Sequence, residues 1–156
     1  MIDITIPGRG EITIKNILFD VNGTIAVDGR IDGSIKKRLQ DITRKVSIYI
    51  LTADTYRTIE KEMGDTGISI EKVIPPNEAE QKEEFVKKLG EKETMAIGNG
   101  ANDALMLKRA ILGMCVIDNE GASSAAIANA DIVIYGKEKI FGLLDNPKRI
   151  VATLRS

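Results

Sequence analysis

The sequence contains no histidine and a single cysteine, Cys115, among its 156 residues. Without histidine, catalysis by a Ser-His or Cys-His pair and zinc sites built on imidazole are excluded. A single cysteine forms no internal disulfide, and its apolar surroundings in the segment LGMCVI predict a buried thiol rather than a nucleophile.

The chain also lacks a long apolar segment and an excess of charge of one sign. No apolar run approaches the roughly 20 residues of a membrane-spanning helix. The first residues, MIDITIPGRG, alternate in polarity and do not resemble a signal peptide. Lys and Arg number 22 against 23 Asp and Glu, which argues against nucleic acid or a membrane as partner. These features predict a cytoplasmic protein with one domain, residues 1–156.

Strand-like and helix-like segments alternate along the chain. IDITIP and EITI alternate with a period of two and predict a hairpin that leads into a strand at Lys15–Val21. The further predicted strands are Val46–Thr52, Glu71–Ile74, Thr94–Gly98, Gly113–Asp118 and Asp131–Gly136. The predicted helices are Asp32–Lys45, Asp54–Met63, Asn77–Leu89, Asn102–Ala110 and Ser123–Ala130. This order predicts an α/β fold, a three-layer Rossmann-like sheet that is mostly parallel with helices on both faces.

Two of the predicted helices carry recognisable start signals. Asp54 is a candidate N-cap for the helix that ends near Gly64. Asn77, followed three residues later by Glu80, has the pattern of a capping box.

Polar side chains occupy the predicted carboxyl ends of three strands. Asp20 follows Ile17–Phe19, Thr52 ends the next strand, and the run Gly98–Asp103 ends another. In open α/β sheets, ligands bind beyond these ends. Lys82 lies early in the helix after Pro75-Pro76. One carboxylate, one hydroxyl, one ammonium and an Asn/Asp cluster suit a phosphoryl group with Mg²⁺, which prefers hard oxygen ligands.

Each of these signals has a plainer interpretation. Asp20 alone is equally suited to cap the Asn22–Gly23 turn, and Thr52 is an ordinary strand-end hydroxyl. Lys82 lies in a charged helix and alone favours a solvated face, with Lys87 as the alternative functional lysine. It is their order along the chain that favours a site.

Taken together, the segments resemble the haloacid dehalogenase superfamily. FDVNGTI is similar to its first motif, Asp-x-Asp-Gly-Thr, and AIGNGANDALML to its fourth, Gly-Asp-Gly-x-Asn-Asp. ILTADTYRTIEKEMGDTGI resembles the second motif, and Lys82 supplies the third. The likeness covers most of the chain and is nearest to the phosphorylation domain of P-type cation ATPases. It implies a Mg²⁺-dependent phosphohydrolase or phosphotransferase that works through an aspartyl-phosphate.

The resemblance also implies roles for individual residues. Asp20 would be the nucleophile, and Lys82 would neutralise charge between it and the phosphate. The residues implied in catalysis are Asp20, Asn22, Thr52 and Lys82. Those implied in phosphate binding are Thr52, Ala53, Lys82 and Asn102. Those implied in metal binding are Asp20, Asn22 through its backbone carbonyl, Asn99 and Asp103.

Two departures from the family pattern predict a slow enzyme. Asn22 replaces the aspartate that protonates the leaving group, and lost acid–base catalysis costs about 10²–10⁴-fold. Asn99 replaces a metal-binding aspartate, which removes a charge from the cation site. The alternative is a catalytically impaired module that binds phosphate or a protein. A phosphorylated receiver is disfavoured, because only Asp3 precedes Asp20 where an acidic pair is needed.

The intervals between the motifs leave no room for a cap domain. Each interval, from Thr24 to Thr52 and from Thr52 to Lys82, is filled by a predicted helix and strand of the core. The site should therefore be open to a phosphorylated small molecule or macromolecule, or be covered by a second subunit of a homo-oligomer.

Overall fold

The structure is a computed structural model that describes residues 1–53, 58–64 and 66–156. Its strands are β1 (Ile2–Ile6), β2 (Gly10–Ile14), β3 (Asn16–Asp20), β4 (Ser47–Thr52), β5 (Ser69–Lys72), β6 (Thr94–Gly98), β7 (Leu112–Ile117) and β8 (Ile132–Tyr135). Its helices are α1 (Gly33–Ile42), α2 (Thr58–Met63), α3 (Glu78–Leu89), α4 (Ala104–Arg109), α5 (Ser124–Asn129), α6 (Glu138–Asp145) and α7 (Lys148–Leu154).

Strands β3 to β8 form one six-stranded sheet in the order β5-β4-β3-β6-β7-β8, and all five strand pairs are parallel. β1 and β2 form a separate antiparallel hairpin, paired from Ile2 with Ile14 to Ile6 with Gly10. The predicted α/β class and the N-terminal hairpin are confirmed.

Helices cover both faces of the sheet because successive side chains of a strand point to opposite sides. Ile17 and Phe19 of β3 pack into a core with buried residues of α1, α2, α6, α7 and the hairpin. Leu18, between them, packs into a second core with buried residues of α3, α4 and α5. Cys115 is fully buried in this second core, as predicted, and burial raises the pKa of its thiol to about 11.

Several predicted boundaries need correction. β5 begins at Ser69 rather than Glu71, because its pairing with β4 starts at Tyr49 opposite Ser69. The capping box of α3 does not form, because the Asn77 side chain makes no cap hydrogen bond. Instead, the Gln81 amide donates to the carbonyls of Ile74 and Asn77 and accepts from the Ile74 backbone N–H. The predicted start of α2 and its Asp54 cap lie outside the described residues.

The C-terminal helices α6 and α7 were not predicted. Their signal was present, since Ile140, Phe141 and Leu144 recur at helical spacing and are buried. In α7 the buried residue is Ile150. No helix among the described residues is both long and apolar enough to cross a membrane.

Candidate active site

Among the described residues, the order of the strands in the sheet reverses at one point, between β3 and β6. From β3 the strands proceed outward through β4 to β5, whereas β6 lies on the other side of β3 and leads to β7 and β8. The loops that follow two such adjacent parallel strands diverge and leave a crevice at their carboxyl ends, which is where α/β sheets bind ligands. Asp20 ends β3 and Gly98 ends β6, so both flank this crevice.

A buried lysine joins two carboxylates in the crevice. The Lys82 ammonium lies 2.7 Å from Asp20 Oδ1 and 2.6 Å from Asp103 Oδ1, and the residue is only 1% exposed. The other oxygen of Asp103 accepts hydrogen bonds from the backbone N–H groups of Asn99 (2.9 Å) and Gly100 (2.8 Å). Asp103 is thereby fixed at the start of α4 and holds Lys82 against Asp20.

The alternative lysine, Lys87, lies elsewhere. Its ammonium pairs with Glu84 at 2.6 Å and lies 3.6 Å from Glu83 on the outer face of α3. Lys82 is one of the few buried residues of α3, together with Val86, so the helix presents it to the sheet and Lys87 to solvent.

The two carboxylates share one ammonium, and the pKa values of Asp20 and Lys82 reflect this. Burial, and then the charge of Asp103, raise the pKa of Asp20 from 3.8 to about 7, although Lys82 acts in the opposite direction. Burial alone would lower the pKa of Lys82, but Asp20 and Asp103 together raise it above its ordinary value. When Asp20 is ionised, the two carboxylates outnumber the one ammonium, which favours a further cation.

Thr24 connects the first and fourth motifs, although it was not among the site residues predicted from the sequence. Its fully buried hydroxyl lies 3.3 Å from Asp20 Oδ2 and 3.2 Å from Asn99 Oδ1, and it can donate to one of them at a time. The Asn99 amide group donates to the Gly121 carbonyl at 3.1 Å, while its oxygen accepts from the Thr24 hydroxyl. Thr24 ends the motif FDVNGT, so the signal for its role was available.

The predicted phosphate-binding residues line a cavity that Asp20 and Lys82 also line. Thr52 is buried at the end of β4, beside β3, and lines this cavity with Ala53, Asn22 and Asn102. The Asn102 amide donates to Glu78 Oε2 at 2.8 Å, so it is held to α3. Its role in phosphate binding remains a prediction.

The cavity is small and continues into a larger depression. The cavity around Asp20 and Lys82 has a volume of about 320 Å³. It shares Asn22, Thr52 and Ala53 with a second, of about 820 Å³, which extends to Arg30 and Glu62. The Asp20 side chain is 13% exposed. The described residues from 24 to 82 form α1, β4, α2, β5 and the start of α3, and none of them forms a cap over the cavity.

The oxygen atoms beside Asp20 suit a hard divalent cation. Asp20 and Asn99 line the same cavity, and Asp20 Oδ2 and Asn99 Oδ1 both lie within hydrogen-bond distance of the Thr24 hydroxyl. Asp103 is less suited to ligate a metal, because both of its oxygens are engaged by Lys82 and backbone amides. Among the described residues no group of three or more Asp, Glu, His or Cys side chains is arranged to hold a metal. These oxygen donors are of the chemical type that Mg²⁺ prefers, although few of them carry a negative charge.

Comparison with known proteins identifies the family. Residues 25–110, more than half of the chain, match the family described as haloacid dehalogenase-like hydrolase. The chain belongs to this family. The matched range includes Thr52, Lys82 and the Asn99–Asp103 segment, and the prediction of a haloacid dehalogenase-like hydrolase is confirmed.

Several relatives are named after P-type ATPases. A copper-exporting P-type ATPase of Staphylococcus epidermidis is 32% identical over 136 residues, which are 85% of this chain and 16% of that protein. A soluble P-type ATPase-like phosphatase of Methanocaldococcus jannaschii is 27% identical over 126 residues, which are 78% of this chain and 45% of that protein. The chain thus spans less than half the length of either relative. These matches confirm the predicted likeness to P-type ATPases.

A solved structure shows the same fold. The 3-deoxy-D-manno-octulosonate 8-phosphate phosphatase of Moraxella catarrhalis, determined with magnesium ion, phosphate ion and KDO, matches with a TM-score of 0.65. The match covers 91% of this chain and 94% of that chain at 19% identity.

Proposed function

We propose that this haloacid dehalogenase-like hydrolase is a Mg²⁺-dependent phosphohydrolase or phosphotransferase that forms an aspartyl-phosphate on Asp20. The observation that carries the proposal is the buried Lys82, held by Asp103 against a carboxylate at the topological switch point of the sheet. A buried ammonium beside a strand-end carboxylate and a strand-end hydroxyl is an arrangement suited to phosphoryl transfer.

In the first step, an oxygen of Asp20 bonds to phosphorus while the ester P–O bond breaks. The leaving oxygen departs with the bonding electron pair. Lys82 favours the ionised form of Asp20 and screens the repulsion between its carboxylate and the approaching phosphate, while Thr52 and the Ala53 N–H donate to phosphoryl oxygens. Bound Mg²⁺, held by Asp20, Asn99 and the Asn22 carbonyl, would supply further positive charge for the phosphoryl group.

The second step should be slow. Water attacks the phosphorus of the acyl phosphate, the bond to the Asp20 oxygen breaks, and inorganic phosphate leaves. Asn22 takes up no proton from this water and donates none to the leaving group in the first step, so both protons exchange with solvent. With acetyl phosphate, whose leaving group needs no proton, only the second step is slowed, so the phosphoenzyme should accumulate.

The proposal is tested with fluoroberyllate, a phosphate analogue that needs no turnover. We expect ¹⁹F NMR to show a bound signal that requires both Mg²⁺ and Asp20 and is absent in Asp20→Asn. The matched control, Asp3→Asn, removes an exposed carboxylate whose partner is Thr13 of the hairpin, and it should bind like the wild type. A bound signal in Asp20→Asn would contradict the assignment of the nucleophile.

A second function, a phosphate-binding or protein-interaction module without turnover, is favoured by Asn22 and Asn99. Acid-quenched protein incubated with acetyl phosphate and Mg²⁺ separates the two. A mass increase of one phosphoryl group on the wild type supports the enzyme. Phosphate binding by the wild type without this mass increase supports the module. The receiver alternative loses support, because Asp3 lies on the hairpin and bonds Thr13.

A further inference from the structure

A carboxylate that the motifs do not include lies at the edge of the catalytic cavity. Glu120, in the turn after β7, lines the same 320 Å³ cavity as Asp20, Lys82 and Asn99. A Cβ built on Gly23 would lie 3.0 Å from Glu120 Oε2 and 2.2 Å from the Asn99 amide nitrogen. Glu120 and Asn99 therefore flank Gly23 from the same side. Glu120 is exposed to solvent, and it forms no ion pair within the described part of the chain.

The turn that carries Glu120 is firmly held. The Gly121 N–H donates to the Asp118 carbonyl at 2.8 Å, and Gly121 adopts a positive φ of 74°. The Asp118 carboxylate accepts from the Asn119 N–H (2.9 Å) and pairs at 2.9 Å with Lys137, which is nearly buried. These contacts fix the base of the turn at the end of β7, the strand that neighbours β6.

The turn is also attached directly to Asn99. The Asn99 amide donates to the Gly121 carbonyl, and the Asn99 carbonyl accepts from the Ser123 N–H at 2.8 Å. An aspartate at position 99 could not donate to Gly121 and would set a carboxylate oxygen against a carbonyl oxygen. The neutral amide of Asn99 therefore holds in place the turn that carries Glu120.

We propose that Glu120 supplies the negative charge that Asn99 lacks at the cation site. The inference rests on the proposed function, because it requires a divalent cation beside Asp20. Mg²⁺ keeps several of its waters when it binds to proteins. An exposed carboxylate at the edge of the cavity can therefore act on the ion through a bound water.

The test measures cation affinity without catalysis, using Mn²⁺ as the probe and electron paramagnetic resonance to count free Mn²⁺. We expect Glu120→Gln to raise the Kd for Mn²⁺ by about 10-fold, the scale seen when a group behind a metal ligand is removed. Glu11→Gln makes the same change in charge on the hairpin strand β2, and its Kd should equal that of the wild type. Glu78→Gln is a second control, because Glu78 lines the cavity but bonds Asn102.

The outcomes are distinguishable. Weaker binding confined to Glu120→Gln supports the inference. An unchanged Kd in Glu120→Gln, or an equal loss in Glu78→Gln, overturns it and leaves the proposed function intact. A wild type that binds no Mn²⁺ overturns both the inference and the metal dependence of the proposed function.

Discussion

Asp20→Asn should stabilise the metal-free protein at pH 8, although the same change should abolish phosphoryl transfer. In the folded state Asp20 ionises beside Asp103 in a buried site, and its pKa rises from 3.8 to about 7. A carboxylate with a raised pKa contributes full stability below its unfolded pKa, and that contribution is lost as the pH rises toward the folded value. The wild type should therefore lose stability between about pH 4 and pH 7.

The size of the effect follows from the same shift. A rise from 3.8 to about 7 corresponds to an ionisation cost of about 4 kcal/mol, at about 1.4 kcal/mol for each pKa unit. Asparagine has the shape of the protonated acid and does not ionise, so it avoids this cost. The raised pKa of Asp20 already includes the attraction of Lys82 for the ionised carboxylate. We therefore expect a gain of up to about 4 kcal/mol at pH 8, and a smaller gain at pH 5.

Urea unfolding in the presence of EDTA measures this gain. The free energy of unfolding of Asp20→Asn minus that of the wild type should grow from pH 5 to pH 8. Asp3→Asn, which changes an exposed carboxylate bonded to Thr13, should show no such growth. A variant that is less stable than the wild type at pH 8, or a gain that does not vary with pH, would refute the electrostatic reasoning.

Two further substitutions test the roles of Lys82 and Asn22. Lys82→Met leaves Asp20 and Asp103 buried without a counter-ion. We therefore expect the free energy of unfolding to fall by about 3–5 kcal/mol near neutral pH. A loss below about 1 kcal/mol, the scale of a surface ion pair, would contradict the buried-pair geometry. Asn22→Asp restores a group that exchanges protons, and single-turnover decay of the phosphoenzyme should quicken by up to about 10²-fold. An unchanged decay rate would show that proton transfer does not limit hydrolysis.

Sequence patterns predicted the residues at the strand ends better than the contacts among them. The apolar runs before Thr52 and Gly98 predicted the ends of β4 and β6 correctly, and β6 was predicted residue for residue, whereas β3 ends at Asp20 rather than at Val21. The parallel order then brings those ends to one edge of the sheet. Lys82 could be placed on a helix from its spacing, but its burial depends on how α3 packs against the sheet.

The contacts that were missed depend on tertiary packing. Glu120 lies 21 residues beyond Asn99 in the chain and reaches the site only because β7 neighbours β6 in the sheet. The capping box of α3 was a local pattern that a competing local contact, the Gln81 amide with Ile74, replaced. The position of Glu120 thus depends on the strand order, and the cap of α3 on a choice between two local partners.

Because the site lies between β3 and β6, its geometry depends on both halves of the sheet. One half of the sheet, β3 with β4 and β5, contributes Asp20 and Thr52, and the other half, β6 with β7 and β8, leads into Asn99 and Asp103. Lys82 comes from the helix that connects the halves. Neither half holds a working set of groups alone. Any partial unfolding that separates the two halves therefore separates the proposed site residues. The fraction of molecules able to bind phosphate should then follow the cooperative stability of the domain rather than that of any single loop.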